Sequence, residues 1–248
     1  MAIGHVPSSS PNPNIIILKR TSMCRIDGCT RPRAAYSYLC DYHRRNDRRH
    51  GHPLQSACRN SHLKPHIAAI RAYLDTKSAP TVDRTIETIW SAVTREAEEM
   101  RDQWARGRPG NKYEMAAAEV VLQINREHPP RAIVELIMAL GFWLKWEPTH
   151  FRSDQAFQFQ AARLFRRMAP MAVGYSWDHA GNCQRSHYKD TPPATTRAIW
   201  SILQRSKLID YGWQIANETI KEKQLKRRSE LEEKAAILGS LATTGCAE

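Results

Sequence analysis

The sequence lacks a long apolar run. Its longest, 133–144, is interrupted by Glu135 and falls short of the roughly 20 apolar residues that a membrane-spanning helix requires. The first residues also lack the basic stretch, apolar stretch and small-residue cleavage site of a secretory signal. Residues 1–20, with their Pro- and Ser-rich stretch, are typical of a flexible leader. We therefore expect a cytoplasmic protein without a membrane span.

Common catalytic motifs are missing as well. The sequence contains no G-x-x-x-x-G-K-S/T phosphate loop, no G-x-G-x-x-G fingerprint, no H-E-x-x-H pair and no G-x-S-x-G elbow. Glu96, Glu98 and Glu99 lie close together, but their setting is typical of the solvated face of a helix rather than of a catalytic pair. We predict no catalytic residue, and a nonenzymatic role is favoured.

Few segments alternate with period two, so a large sheet is not expected. Apolar residues instead recur at steps of three and four, as they do on the buried face of a helix. In 80–107 these residues are Val82, Ile86, Ile89, Trp90, Val93, Ala97, Met100 and Trp104. Similar patterns predict helices over 113–126, 131–145, 153–168 and 195–208. The fold class is therefore mainly α: a small N-terminal Cys3His zinc module followed by an all-α helical domain.

The composition changes along the chain and suggests four parts. After the leader, we predict a basic zinc-binding module over 21–64 and a helical domain over 65–212. Residues 213–248 form a charged C-terminal helix and tail, because Glu and Lys recur there four residues apart. Residues 175–189 are polar and rich in aromatics, and we interpret them as a loop between helices.

Positive charge is concentrated near the N-terminus. The chain has a net charge of +12, and residues 15–66 hold eleven Lys and Arg against three Asp. Clustered cations attract polyanions and release counterions from nucleic acid on contact. The sequence therefore predicts an anionic partner for this segment.

Three of the six cysteines fall within residues 24–40 of the same segment. Cys24, Cys29, Cys40 and His43 have the spacing C-x4-C-x10-C-x2-H. In a reducing compartment such a cluster is more typical of metal ligands than of disulfides. Tetrahedral zinc takes four ligands of these types, and four protein ligands leave no open position for a reactive water. We predict one structural Zn²⁺.

A resemblance to known proteins supports this prediction over about residues 22–53 only. It is carried by Cys24-Arg-Ile-Asp-Gly-Cys29-Thr-Arg-Pro, by Tyr38-Leu-Cys40-Asp-Tyr-His43-Arg-Arg and by Arg48-Arg-His-Gly-His-Pro53. The pattern resembles the small zinc modules of phage and mobile-element proteins that are often found beside HNH endonuclease domains. The resemblance implies a module that supports binding of nucleic acid, either DNA or RNA.

The arginines that follow the fourth ligand are the first candidates for phosphate contacts. They continue the helical turn begun by Cys40 and His43, and two further arginines lie between the second and third ligands. The predicted nucleic-acid-binding residues are Arg31, Arg33, Arg44, Arg45, Arg48 and Arg49.

Two other functions remain open from the sequence. The chain is compatible in size, charge and helical content with a subunit of a larger nucleoprotein complex, such as the large subunit of an RNA-guided CRISPR effector, which adds protein partners. A divergent HNH-like nuclease would need an Asp-His pair after a strand; Asp178-His179 is an Asp-His pair, but its flanks are typical of a loop between helices. A second zinc site from Cys58-x3-His62 and Cys183-x3-His187 is less favoured, because the two pairs are distant in sequence.

Overall fold

A computed structural model describes residues 23–169, 172–177, 184–188 and 191–244. In 172–177, 184–188 and 235–244 it describes the backbone alone. The expected leader, 1–20, lies outside the described residues. No helix among the described residues is both long and apolar enough to cross a membrane.

The described chain is mainly α-helical, with the cysteine-rich segment before most of the helices. The predicted fold class is therefore confirmed. The helices are α1 (Asp41–His50), α2 (Asn60–Asp75), α3 (Ala79–Ala105), α4 (Lys112–Glu127), α5 (Pro130–Trp146), α6 (Asp154–Arg166), α7 (Pro193–Arg205) and α8 (Leu208–Thr244). Pro148–His150 forms a short 3-10 turn between α5 and α6.

Local signals explain most of the helix boundaries. Asn111 caps α4 by accepting a hydrogen bond from the Tyr113 amide, and Ser153 caps α6 by accepting one from the Ala156 amide. The helix predicted over 195–208 ends earlier, at Arg205, and α8 begins at Leu208. Lys207 between them has φ +60°, a left-handed backbone that interrupts the helical hydrogen bonds.

Helix α5 lies at the centre of the core. Ten consecutive or nearly consecutive residues of α5 are buried, and the helix packs against α2, α3, α6 and α8. Its crossing with α8 brings two backbones together at glycines. A Cβ atom added to Gly141 would meet the Ile209 carbonyl oxygen at 1.9 Å, and one added to Gly212 would meet the Met138 carbonyl oxygen at 1.8 Å.

One carboxylate is buried in this core. Glu135 of α5 is only 2% exposed. Arg71 of α2 donates two hydrogen bonds to it, at 2.7 and 3.1 Å, and Arg131 donates another at 3.0 Å. Pairing with two arginines offsets the cost of removing the carboxylate from water. The ion pairs therefore join α2 to α5.

The interpretation of 175–189 as a loop was wrong. Strand β1 (Ala172–Trp177) pairs antiparallel with β2 (Gln184–Tyr188), with an irregularity between Ala172 and Gly174. The strands are six and five residues long, so each gives only two or three positions of alternation. Such a short pattern is easily missed beside polar residues.

Helix α8 has a packed part and a solvent-exposed part. Ile215 and Ala216 are buried, whereas every residue of 221–234 is exposed. The predicted division after residue 212 lies inside α8, and the one after residue 64 lies inside α2. The ends of helices therefore do not mark these two divisions.

Candidate metal centre

The first two cysteines lie on a short turn held by backbone hydrogen bonds. The Cys24 amide donates to the Arg31 carbonyl at 3.0 Å, and an isolated β-bridge joins Met23 to Pro32. Between them the chain reverses at Gly28, whose φ is +75°. Glycine adopts this backbone without the steric cost that a Cβ brings. The turn directs both cysteines to one point.

The other two ligands lie at the start of α1. Cys40 is the N-cap residue, and its carbonyl accepts the first helical hydrogen bond, from the Arg44 amide at 2.9 Å. His43 is one turn further along the same face, as the spacing predicts. Both side chains are buried, and so is Cys24, while Cys29 is partly buried.

The four ligand atoms form a compact group. Cys24 Sγ lies 3.3 Å from His43 Nδ1, Cys40 Sγ lies 3.4 Å from the same nitrogen, and Cys29 Sγ lies 4.0 Å from Cys40 Sγ. All four atoms lie within 4.8 Å of one another. A tetrahedral zinc site has edges of about 3.8 Å between sulfurs and about 3.6 Å between sulfur and nitrogen, from its bond lengths. The residues therefore fit a four-coordinate metal ion.

The environment of Cys24 favours the thiolate that a metal needs. Burial alone would raise its pKa. Hydrogen bonds from the backbone amides of Ile26 and Cys40, together with contacts to His43 and Cys29, lower the pKa of the Cys24 thiol to about 6. The Cys40 amide lies 3.3 Å from Cys24 Sγ. Amide donors of this kind stabilise the negative sulfur of a metal ligand.

Helix α1 separates its histidines from its arginines. His43 and His50 are buried and seven residues apart, which places them on one face. His43 contributes Nδ1 to the group of four ligand atoms, and His50 Nδ1 lies 2.9 Å from Gln160 Nε2 of α6. The arginines of the helix lie on the other faces and are exposed: Arg44, Arg45, Arg48 and Arg49. The helix therefore presents its positive charge to solvent.

Two of these arginines have partners within the chain. Arg44 forms an exposed ion pair with Asp41 at 2.9 Å, and the Arg49 carbonyl accepts a hydrogen bond from Arg163 at 3.3 Å. Arg31 and Arg33 lie outside α1 on the loop between the second and third cysteines, and both are exposed. All six predicted arginines are therefore exposed, two on this loop and four on α1.

Three exposed tyrosines that were not predicted as site residues lie beside these arginines. The Arg31 guanidinium lies over the ring of Tyr42 at 4.9 Å, and the Arg33 guanidinium lies over Tyr38 at 5.9 Å. Tyr36, which precedes both in sequence, is fully exposed. Tyrosines interleaved with arginines were the sequence signal for this surface.

Close packing and polar contacts attach the module to the helical body. Gly51 packs so closely on α6 that an added Cβ would lie 2.6 Å from the Gln155 carbonyl oxygen. Gln160 also accepts a hydrogen bond from the Cys58 amide at 2.9 Å, and Arg167 donates to the Cys58 carbonyl at 2.7 Å. These partners are far apart in sequence, so no local pattern could reveal them.

Cys58 and His62 do not join the ligand cluster at 24–43. Cys58 is buried, and its Sγ lies 3.6 Å from His150 Nε2 rather than next to a second cysteine. Burial raises the pKa of Cys58 to about 12, although the charge of Arg167 opposes the shift. Cys183 lies outside the described residues. Among the residues whose side chains are described, only the cluster at 24–43 brings together three or more such ligands.

An HNH-like nuclease would need a strand before its Asp-His pair and a metal ligand on the following helix; the described part of the chain has the strand but not the ligand. Strand β1 ends at Trp177, directly before Asp178-His179, and the order strand, strand, helix continues through β2 to α7. Asp178 and His179 themselves lie outside the described residues. The sequence of α7 contains no His, Asp, Glu or Asn, so this helix supplies no metal ligand of the kind such a site uses.

Comparisons with protein-family models, with curated proteins and with solved structures found no match to this chain. Its function must therefore be inferred from the chemistry of the cysteine cluster and the surface around it.

Proposed function

We propose that the chain is a zinc-containing nucleic-acid-binding protein of a phage or mobile element. The observation that carries the proposal is the four-ligand group beneath an exposed arginine surface. The metal organises the turn and the start of α1, and α1 then holds its arginines away from the body. The module contacts the phosphate backbone, while the helical body supports it.

Zinc is the metal that suits this ligand set best. Three thiolates and one imidazole are soft or borderline donors, and zinc has no preferred geometry that the fold would have to match. Cys24, Cys29, Cys40 and His43 would hold the ion. Because all four positions are filled by protein, the ion would supply structure rather than a reactive water.

Phosphate contact follows from the charge and its exposure. Residues 15–66 contain only three acidic side chains, and one of them, Asp41, is paired with Arg44. Exposed arginines gain binding energy chiefly by releasing counterions from the nucleic acid. Affinity should therefore fall as salt increases.

The zinc prediction is tested by metal analysis of the purified protein. We expect about one zinc per wild-type chain and loss of that zinc in Cys40→Ser. The matched control is Cys58→Ser, which alters a cysteine outside the cluster and should retain the metal. Full zinc content in Cys40→Ser would contradict the assigned site.

Nucleic-acid binding is tested by fluorescence anisotropy with labelled DNA and RNA over a salt series. We expect Arg45→Ala/Arg48→Ala to weaken binding and to reduce the salt slope by about two, because each arginine neutralises one phosphate. Arg84→Ala/Arg95→Ala removes the same charge from exposed positions on α3 and should leave both quantities unchanged. Equal effects from the two double variants would point to net charge rather than to this surface.

A divergent HNH-like nuclease is a second candidate, because a strand precedes Asp178-His179. Metal-dependent cleavage of plasmid DNA by the wild type, lost in His179→Ala, would support it. Participation in a larger nucleoprotein complex stays a prediction, tested by recovery of RNA and protein subunits with the chain.

A further inference from the structure

The segment from the second cysteine to the start of α1 carries an aromatic surface as well as a basic one. We define the Tyr–Arg surface as Arg31, Arg33, Tyr36, Tyr38 and Tyr42. The tyrosines are 109%, 68% and 58% exposed in that order. Exposed aromatic side chains grouped within one short segment often mark an interaction site. We propose that this surface stacks on unpaired bases, so that the ligand of the module is single-stranded nucleic acid.

The arrangement of the side chains supports stacking. Arg31 covers one ring and Arg33 covers another, so two planar cations lie against two aromatic faces. Bases stack on tyrosine rings and on guanidinium planes alike, because each presents a flat polarisable face. The arginines can therefore contact phosphates, while the tyrosine rings contact the bases attached to the same strand.

Tyr36 is the most informative residue of the surface. Its φ is +57°, a left-handed backbone that is unfavourable for a bulky side chain. A glycine would remove that strain, yet the ring is present and is fully exposed. Packing within the described part of the chain therefore gives no reason for the ring, whereas contact with a base does.

The Tyr–Arg surface continues onto α1. Tyr42, Arg45 and Arg49 are spaced by three and four residues, which aligns them along one side of the helix. A strand that stacks on the loop can therefore follow positive charge along α1. A duplex would gain the charge contacts but not the stacking, since its base faces are already covered by their neighbours.

This inference rests on the proposed function and has a test of its own. Anisotropy is measured with a labelled single strand and with the duplex of the same sequence, for both DNA and RNA. Tyr36→Asn removes one ring at a position whose backbone Asn tolerates, and Tyr38→Ala removes another. We expect each change to weaken single-strand binding by about five- to 100-fold. Duplex affinity and the salt slope should stay nearly constant.

Two control variants separate stacking from folding. Tyr38→Phe keeps the ring and should retain most of the affinity, and Tyr211→Ala removes an exposed ring on α8 and should have no effect. Zinc content near one per chain shows that each variant keeps the module folded.

Equal weakening of single strand and duplex, or no weakening by Tyr36→Asn and Tyr38→Ala, would overturn the inference. Binding that still depends on salt and on Arg45 and Arg48 would then leave the proposed function intact and direct attention to a protein partner for the rings. Absence of any salt-dependent binding in the wild type would contradict both the proposed function and the inference of single-strand binding.

Discussion

Individual side chains determine what the cysteines of this chain can do. The hydrogen bonds around Cys24 favour its thiolate, whereas burial keeps the thiol of Cys58 protonated, with a pKa of about 12. Only the thiolate reacts readily with alkylating reagents. The two environments therefore predict opposite chemical behaviour.

We expect brief alkylation of the native protein to spare Cys58 both before and after treatment with a chelator. Cys24, Cys29 and Cys40 should become labelled only after the chelator has removed the metal. Peptide mass spectrometry measures each site separately, and labelling in denaturant provides the value for full modification. Rapid native labelling of Cys58 would contradict the burial that the structure gives it.

A buried histidine should make stability depend on pH. His66 is 5% exposed and stacks on Trp143 with ring centroids 5.5 Å apart. Burial lowers its pKa below the usual 6.5 despite the opposing charge of Glu147, and His150 lowers it further. Well above pH 6.5 this histidine is neutral in folded and unfolded chains alike. As the pH falls through about 6.5, the unfolded chain takes up the proton first and stability declines.

We expect the midpoint of urea unfolding to fall between about pH 7.5 and 5.5 in the wild type and to fall less in His66→Phe. The difference between the two proteins is the readout, because loss of metal at low pH is common to both. Identical pH dependence would show that His66 does not carry the effect.

The metal ligands could be predicted from sequence because they lie within about twenty residues and their spacing reflects local turns. The contact between His50 and Gln160 could not, since it joins residues 110 positions apart. Tyr36, Tyr38 and Tyr42 are also local, but their exposure depends on where the rest of the body lies. Sequence periodicity describes one helix face at a time and contains no information on such pairings.

At the scale of elements, the crossing of α5 and α8 depends on two glycines. Ala normally stabilises a helix interior by about 1 kcal/mol relative to Gly. Here a Cβ at Gly141 or Gly212 would overlap a carbonyl oxygen of the opposite helix. The helices would have to separate, which replaces packed contacts by strain or a gap.

We therefore expect Gly141→Ala and Gly212→Ala each to lower the free energy of unfolding by about 2 kcal/mol or more. Glu222→Ala, at an exposed position of α8, should change it by less than about 0.5 kcal/mol. Chemical denaturation monitored by circular dichroism measures both. Stabilisation by either glycine substitution would show that the backbones are not in close contact.

The elements themselves were predictable to different degrees. Helices α3 to α6 were predicted to within about two residues, because many apolar positions recur along each of them. The hairpin was missed because its two strands provide few alternating positions. The break between α7 and α8 coincides with the left-handed backbone of Lys207, and a lysine carries no signal for that conformation.

At the scale of the whole molecule, we expect the cysteine cluster and the helical core to be stabilised in different ways. The helices share an extensive apolar core around α5 that includes Cys58 and Leu63, whereas Cys24 and Cys40 are the only buried apolar residues within 23–57. A structural metal commonly supplies the folding energy of so small a unit.

We expect chelation of the metal to abolish nucleic-acid binding while most of the helical signal and the main unfolding transition remain. Circular dichroism and thermal unfolding with and without chelator measure this, and restored binding after adding zinc is the control. Simultaneous unfolding of the whole chain on chelation would show that module and body form one cooperative unit.

Helix α1 is attached at two points, His43 to the metal group and His50 to Gln160 of α6. These points are about 10 Å apart along the helix axis, from its rise per residue. A helix that is held at one point only could rotate about that point, whereas contacts near both of its ends fix its direction. If a nucleic acid lies along α1 as proposed, its direction would therefore be set by the ligand cluster at one end of the helix and by α6 at the other.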